Sequence, residues 1–380
     1  MTTADFSPGL KANSLKYPFH EIPHMTLEIN RTCNMRCRCC YNIDRDSVKS
    51  FDEVERDLDT AMAMRRLQAV TVLGGEPTLH PDLPRIIALV KSRGILCQLL
   101  TNGLRFLDDD GPALLRAIKS AGIDKILLHV DGGQAHMHAD IGAAREKLFS
   151  LMESEQIEFA LSVTVYNEDR GRMSDIVRRY SRFRYFDGVL AVLARDGRDP
   201  AAQTVELREE YEGLRAGLGL EPTAYVPSNV SDTDVRWLVY FHLADAGGSR
   251  AYPLSPVLDR AFRRFFRMAA GCHFFAGNHG PSEMRKILIP LVLFEALASP
   301  RRLVSLAGLF RRAGSLKNLR LQFIAIQVPP QLGPDSEIAV MCRGCPDATV
   351  RNGRLVPVCI ADMVSPLDLS LKPLLSCPEF

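Results

Sequence analysis

The sequence predicts an α/β chain: a partial (β/α)6 barrel of the TIM-like kind, then a mixed, helix-rich extension, then a small cysteine-bearing module. Three observations predict it. Short apolar strands alternate with amphipathic helices from residue 25 to 200, the rhythm breaks near residue 200, and most cysteines gather in two tight groups, 33–40 and 342–359. The boundaries that follow are an N-terminal segment 1–23, the barrel 24–200, the extension 201–335 and the module 336–380.

The units read in order. Met25–Ile29 alternates apolar positions as a strand, and Asp52–Leu67 repeats Val54, Leu58, Ala61 and Met62 at helical spacing. Ala69–Leu73 is an apolar strand closed by Gly74-Gly75, and the helix Leu83–Arg93 is stopped by Gly94. Leu96–Leu100 and Pro112–Ser120 form the third strand and helix, and Lys125–Val130 and Ala143–Ser154 the fourth. Phe159–Val165 and Met173–Tyr180 form the fifth, and Gly188–Leu193 is the sixth strand. Such alternation argues for parallel pairing through right-handed crossovers. Short apolar strands suit a sheet covered on both faces. Active sites of these barrels lie at the C-terminal ends of the strands. Here those ends carry the cysteine loop, Gly74–Pro77, Thr101–Gly103, Asp131–Gly133 and Tyr166-Asn167. Beyond residue 200 the segment 204–219 reads as helix, Trp237–Leu243 as a strand-like run and 257–312 as helical, apolar and arginine-rich.

A formal net charge of +2 over 380 residues gives no reason to expect a nucleic-acid partner. The N-terminus has no apolar stretch of the signal-peptide kind, so the expected location is cytoplasmic. Ten cysteines, seven of them in the two groups, point to metal or redox chemistry rather than a disulfide framework.

The first group reads Cys33-Asn-Met-Arg-Cys37-Arg-Cys39-Cys40-Tyr41. Thiolates suit the soft irons of an iron–sulfur cluster. Cys33, Cys37 and Cys40, spaced C-x3-C-x2-C, would leave one iron of a cubane open to another ligand. Cys39 is the alternative third ligand, or a fourth, and a four-thiolate zinc knot is the competing structural reading.

A C-x3-C-x2-C loop after the first barrel strand, with Gly74-Gly75-Glu76-Pro77 after the second, resembles the radical S-adenosylmethionine (SAM) superfamily over about residues 24–200. One departure is Cys39, where many members carry an aromatic residue; Tyr41 lies on the other side of Cys40. The resemblance implies a [4Fe–4S] cluster at Cys33, Cys37 and Cys40 whose open iron binds SAM. Reductive cleavage of SAM then yields a 5′-deoxyadenosyl radical that abstracts hydrogen from substrate, with an electron donor such as flavodoxin or ferredoxin. It also implies SAM contacts from Gly74, Gly75 and Glu76, with Thr101, Asn102, His129, Asp131 and Ser162 as further rim candidates. Each has a plain alternative: a strand-to-helix turn, an Asn-Gly turn, or a buried polar group bonded within the core. Gln134, His136 and His138 follow Asp131; the two histidines, two apart, read as solvated loop residues, with a metal site as the alternative. Cys97, among Ile95, Leu96 and Leu99, reads as a core thiol.

Cys342-x2-Cys345 and Cys359 flank a hairpin whose turn is Arg351-Asn-Gly-Arg354. This resembles the auxiliary-cluster (SPASM/twitch-like) extensions of the same superfamily. It implies a second iron–sulfur cluster at Cys342, Cys345, Cys359 and Cys377, with Cys272 as the other choice of fourth ligand and a zinc site as the competing reading. Arg260, Arg263, Arg264, Arg301, Arg302 and Arg311 alternate with apolar runs. They make either ordinary amphipathic helices or a peripheral contact with an anionic membrane. The expected substrate is a small molecule, a lipid or natural-product intermediate, with a ribosomal peptide as the alternative. An electron carrier without catalysis and a zinc-stabilised binding protein are the readings from other classes.

Overall fold

The structure, a computed structural model, describes residues 2–6, 12–15, 21–38, 40–42, 45–131, 134, 140–194, 205–228, 231–245, 251–255, 257–258, 260–261, 264, 290, 292–297, 300–315, 318–328 and 345–362. Strand β1 (Asn13–Ser14) precedes the predicted alternation, which runs β2 (His24–Asn30), α1 (Phe51–Met64), β3 (Ala69–Gly74), α2 (Leu83–Ser92), β4 (Leu96–Thr101), α3 (Gly111–Ser120) and β5 (Lys125–Asp131). It continues through α4 (Ile141–Ser154), β6 (Phe159–Val165), α5 (Met173–Tyr180) and β7 (Phe186–Leu193). Strands β2 to β7 pair in sequence order and every pair is parallel. Helix α1 starts where Ser50 and Glu53 form a reciprocal capping box. It ends at Met64, three residues before the predicted end, because Arg65 leaves the helix with ψ 146° and turns its side chain inward.

The extension differs from its sequence reading. Helix α6 (Leu207–Leu218) matches the expected 204–219, but the chain then builds strands β8 (Ala224–Pro227), β9 (Val235–Asp245), β10 (Ala251–Pro253) and β11 (Leu319–Gln327), with α7 at Leu303–Ala313. The strand-like run at 237–243 is the middle of an 11-residue strand. These strands do not form a second domain. β11 pairs parallel to β7, β9 pairs antiparallel to β11, and the sheet reaches β8 and β1 beyond them. The sheet is therefore open: the far edge of β7 is taken by β11 rather than by β2. Buried alternate positions of β9 and β11 explain this, since both strands carry apolar side chains on each face and need cover on both. Helix α7 packs Leu306, Leu309 and Ala313 into a second apolar cluster that includes Leu243, Leu319 and Leu321 of β9 and β11.

The terminal hairpin forms as predicted. Strands β12 (Ala348–Arg351) and β13 (Arg354–Pro357) are joined by Asn352 and Gly353, both at positive φ of 49° and 72°. It is latched to β2 by side chains far apart in sequence. Arg351 pairs with the buried Glu28, and His24 lies 3.2 Å from Asp347. Arg65 donates to the carbonyls of His24 (2.9 Å) and Cys345 (3.0 Å), and Arg31 makes a two-pronged pair with Asp362. Cys342, Cys377 and Cys272 lie outside the described residues, as do Cys39, His136 and His138.

Candidate active site

The loop after β2 is pinned before any ligand is considered. Buried Asn42 donates to the Arg31 carbonyl (2.7 Å) and accepts from the Arg31 guanidinium (3.1 Å). Arg45 donates to the carbonyls of Asn42 and Met35. Cys33, Cys37 and Cys40 are half-buried on this loop and line one cavity of about 310 Å³ that runs along the inner face of the sheet. The Cys33 sulfur accepts from the Met35 N–H at 3.3 Å.

The Gly74-Gly75-Glu76 turn is docked on the start of this loop. The Gly75 N–H donates to the Asn30 carbonyl and the Glu76 N–H to the Thr32 carbonyl, both at 2.8 Å. A Cβ at Gly74 would meet the Asn30 carbonyl oxygen at 2.2 Å, and one at Gly75 the Thr32 oxygen at 2.2 Å. The glycines are thus required by close approach of the protein's own backbone, strand end to strand end. Tyr41 spans the same junction and donates its hydroxyl to the Gly74 carbonyl at 3.0 Å. It lines the cavity just after the last cysteine of the motif.

Glu76 is buried and its carboxylate is committed. It accepts from Thr78 N–H and hydroxyl, from the Thr101 hydroxyl (2.6 Å) and from the Asn102 N–H (2.8 Å). Burial pushes its carboxyl up, and these donors pull the other way. Glu76 therefore fastens the β3 turn to the β4 turn. Asn102 carries the link onward, donating to the Asn34 side chain of the cysteine loop at 2.8 Å. The Asn-Gly turn is also a turn, with Gly103 at φ 75°. Gly74, Gly75, Glu76, Thr101 and Asn102 all line the cavity with the three cysteines.

His129 and Ser162 are register partners on β5 and β6 and both line the cavity, His129 Nε2 lying 3.4 Å from the Thr164 hydroxyl. Asp131 ends β5, and its side chain lies outside what is described. Cys359, expected beside Cys345, follows β13, where the Val358 N–H donates to the Asp347 carbonyl at 2.9 Å and brings the two chain segments together. Cys359 also lines the main cavity. Cys97 is fully buried in the core, as read.

Two features were not legible as site residues. Gln134 is buried and donates toward the Cys37 sulfur at 3.8 Å, held by Arg145 at 2.7 Å. A polar line runs deep in the cavity, from His24 to Thr71 (2.8 Å) to Gln98 (3.2 Å). Alternation of polar residues on the inner face of β2, β3 and β4 is the only sequence signal for that line.

The donor set fits an iron–sulfur cluster. Burial pushes the Cys33 thiol up to about 11 and raises Cys40 as well. Thiols so placed become thiolates where a cation compensates them. Among the described residues no three His, Cys, Asp or Glu side chains converge on one point as a single ion needs. A cubane does not ask for that, since each thiolate takes a different iron.

Residues 27–178 match the model of the Radical SAM superfamily. The chain is 31% identical over 112 residues to the 7,8-dihydro-6-hydroxymethylpterin dimethyltransferase of Methanocaldococcus jannaschii, covering 28% of this chain and 22% of that protein. It is 30% identical over 142 residues to the PqqA peptide cyclase of Methylorubrum populi, covering 36% and 34%. The matches thus span about a fifth to a third of these relatives' length. The crystal structure of Streptococcus suis SuiB bound to precursor peptide SuiA aligns with a TM-score of 0.37 at 16% identity, over 47% of this chain and 43% of that one.

Proposed function

We propose, from the match of residues 27–178 to the Radical SAM superfamily model, that the chain reductively cleaves SAM and abstracts hydrogen from a small molecule, a lipid or natural-product intermediate. Cys33, Cys37 and Cys40 would hold the [4Fe–4S] cluster, leaving one iron for SAM. Bound there, the pair supplies a 5′-deoxyadenosyl radical able to break an unactivated C–H bond. The observation that carries the reading is that the three cysteines and the Gly74–Glu76 turn line one cavity.

The chain's own residues do the positioning. Glu76 ties the β3 and β4 turns into one rim through Thr78, Thr101 and Asn102. Tyr41 and Asn30 fix the glycine turn against the cysteine loop. His129 and Ser162 offer polar contacts, and Asp131 sits at the end of the same strand as His129. A small electron donor such as flavodoxin or ferredoxin would supply the reducing electron. Cys345 and Cys359, brought near one another by the hairpin, would serve a second iron–sulfur cluster with Cys342 and Cys377.

A second reading concerns where the protein works. Leu297 and Val304 are 82% and 85% exposed, beside Leu293, Phe294 and Leu303 and next to Arg301 and Arg302. Among the described residues no helix is long and apolar enough to cross a membrane. Exposed apolar side chains with Arg301 and Arg302 near them in sequence favour peripheral contact with an anionic lipid surface.

Anaerobic reconstitution tests the main reading. After reduction the protein should release 5′-deoxyadenosine from SAM, and Cys33→Ala, Cys37→Ala and Cys40→Ala should each abolish it, whereas Cys39→Ala should leave some. A fully active Cys40→Ala would overturn the choice of third ligand.

A further inference from the structure

The inner face of the sheet does not stop at β7. Three rungs of register partners cross it into the extension. The middle rung runs His129, Ser162, Leu190, Ala325, Val239. The rung toward the strand C-termini of β5–β7 runs Thr164, Val192, Gln327, Trp237, and the deeper one runs Leu127, Ala160, Gly188, Phe323, Phe241. Along each rung the final position, on β9, is apolar, and Trp237, Phe241 and Phe323 line the cavity that the cysteines line. Gly188 is what admits Phe323: a Cβ there would meet the Phe323 carbonyl oxygen at 2.2 Å and its ring at 2.7 Å. The Lys125 ammonium lies 5.3 Å from the centre of the Phe323 ring and steadies it.

Charge narrows what this wall accepts. Among the described residues lining the cavity, Lys125 is the single lysine or arginine, and Asp187 neutralises it. Glu76 is committed to the loops, and His24 to Thr71 and Asp347. An anionic group against the wall would be buried without a partner, a cost no apolar contact offsets. Gln327, on the rung of Trp237, is the wall's neutral polar group and suits one hydroxyl or carbonyl.

We propose that Trp237, Phe241 and Phe323 form the substrate seat, and that it takes an uncharged ring system, aromatic or alicyclic, with at most one or two neutral polar substituents. Phosphorylated nucleotides and peptides with charged side chains at the reacting residue are turned away. What happens to the ligand rests on the radical SAM reading; the seating itself does not.

Trp237 is the only tryptophan of the chain, so its emission reports this seat alone. The reconstituted full chain is titrated with neutral N-phenyl-1-naphthylamine and with the related sulfonate 8-anilinonaphthalene-1-sulfonate, binding being followed by equilibrium dialysis and by quenching of Trp237. The neutral probe should quench Trp237 and bind about tenfold or more tighter than the sulfonate. Phe241→Leu and Phe323→Leu, which keep apolar volume and remove a ring, should each weaken the neutral probe several-fold, by roughly the worth of one aromatic contact. Equal or tighter binding of the sulfonate, or neutral-probe binding indifferent to both substitutions, would overturn the proposal. Neither measurement needs SAM turnover. A protein inert toward SAM yet selective for the neutral probe would sink the radical SAM reading and leave the seat standing.

Discussion

Cys37 takes a weak N–H···S hydrogen bond from Gln134, whose own amide oxygen is held by Arg145. Hydrogen bonds to ligand sulfurs favour the reduced, more negative state of a cluster. Gln134→Leu should therefore shift the cluster's reduction potential to more negative values while cluster content stays near that of the parent, as read by an EPR-monitored redox titration. An unchanged potential would remove Gln134 from the account. The cysteine spacing alone announces the ligand candidates, because thiolate geometry is local in sequence. Gln134 is different: it lies 97 residues from Cys37 and resembles any loop glutamine until the fold sets its side chain beside the Cys37 sulfur. Glu76 is intermediate. Its place in a Gly-Gly-Glu-Pro turn is visible in the sequence, but its bonds to Thr101 and Asn102 exist only because β3 and β4 pair.

Among the elements, β5, β6, β7 and β11 share a buried charge cluster at their base. Lys125 pairs with Asp187, and Arg320 donates to Glu158 at 3.0 Å. Burial, with Asp187 nearby, pushes the Glu158 carboxyl up to about 7 from 4.5. Between those values the folded chain holds a proton that the unfolded chain has lost, so this group's contribution to stability falls as pH rises through that window. Urea unfolding should lose on the order of 2 kcal/mol between pH 4.5 and 7 from this site, and Glu158→Gln should flatten that slope. A slope that survives the substitution would place the titration elsewhere. The six β/α units were legible because each buries its own periodic face. β8, β10 and β11 were not: the first two are four and three residues long, and β11 follows a stretch whose apolar residues fit a helix as well as a strand. Only the free edge of β7 decides in favour of a strand, and an edge is a property of the sheet.

For the molecule as a whole, the long-range pairs Arg31–Asp362 and Arg351–Glu28 close the C-terminal hairpin over β2, and Cys359 lines the cavity with Cys33, Cys37 and Cys40. The exposed side chains of Leu293, Leu297 and Val304 lead to a test of location. In liposome flotation the protein should rise with anionic vesicles at low salt and stay down with neutral ones, and Leu297→Asp with Val304→Asp should abolish flotation; no binding at low salt would end the membrane reading. The central claim is that Cys33, Cys37 and Cys40 hold a cluster with one iron free for SAM. Its most direct measurement is the EPR spectrum of the reduced, reconstituted protein recorded before and after SAM is added, with the C-terminal cysteines replaced so that one cluster remains. The account predicts a [4Fe–4S] signal whose g-values move on addition of SAM and which disappears in Cys33→Ala. A cluster signal indifferent to SAM would contradict it and leave an electron carrier in its place.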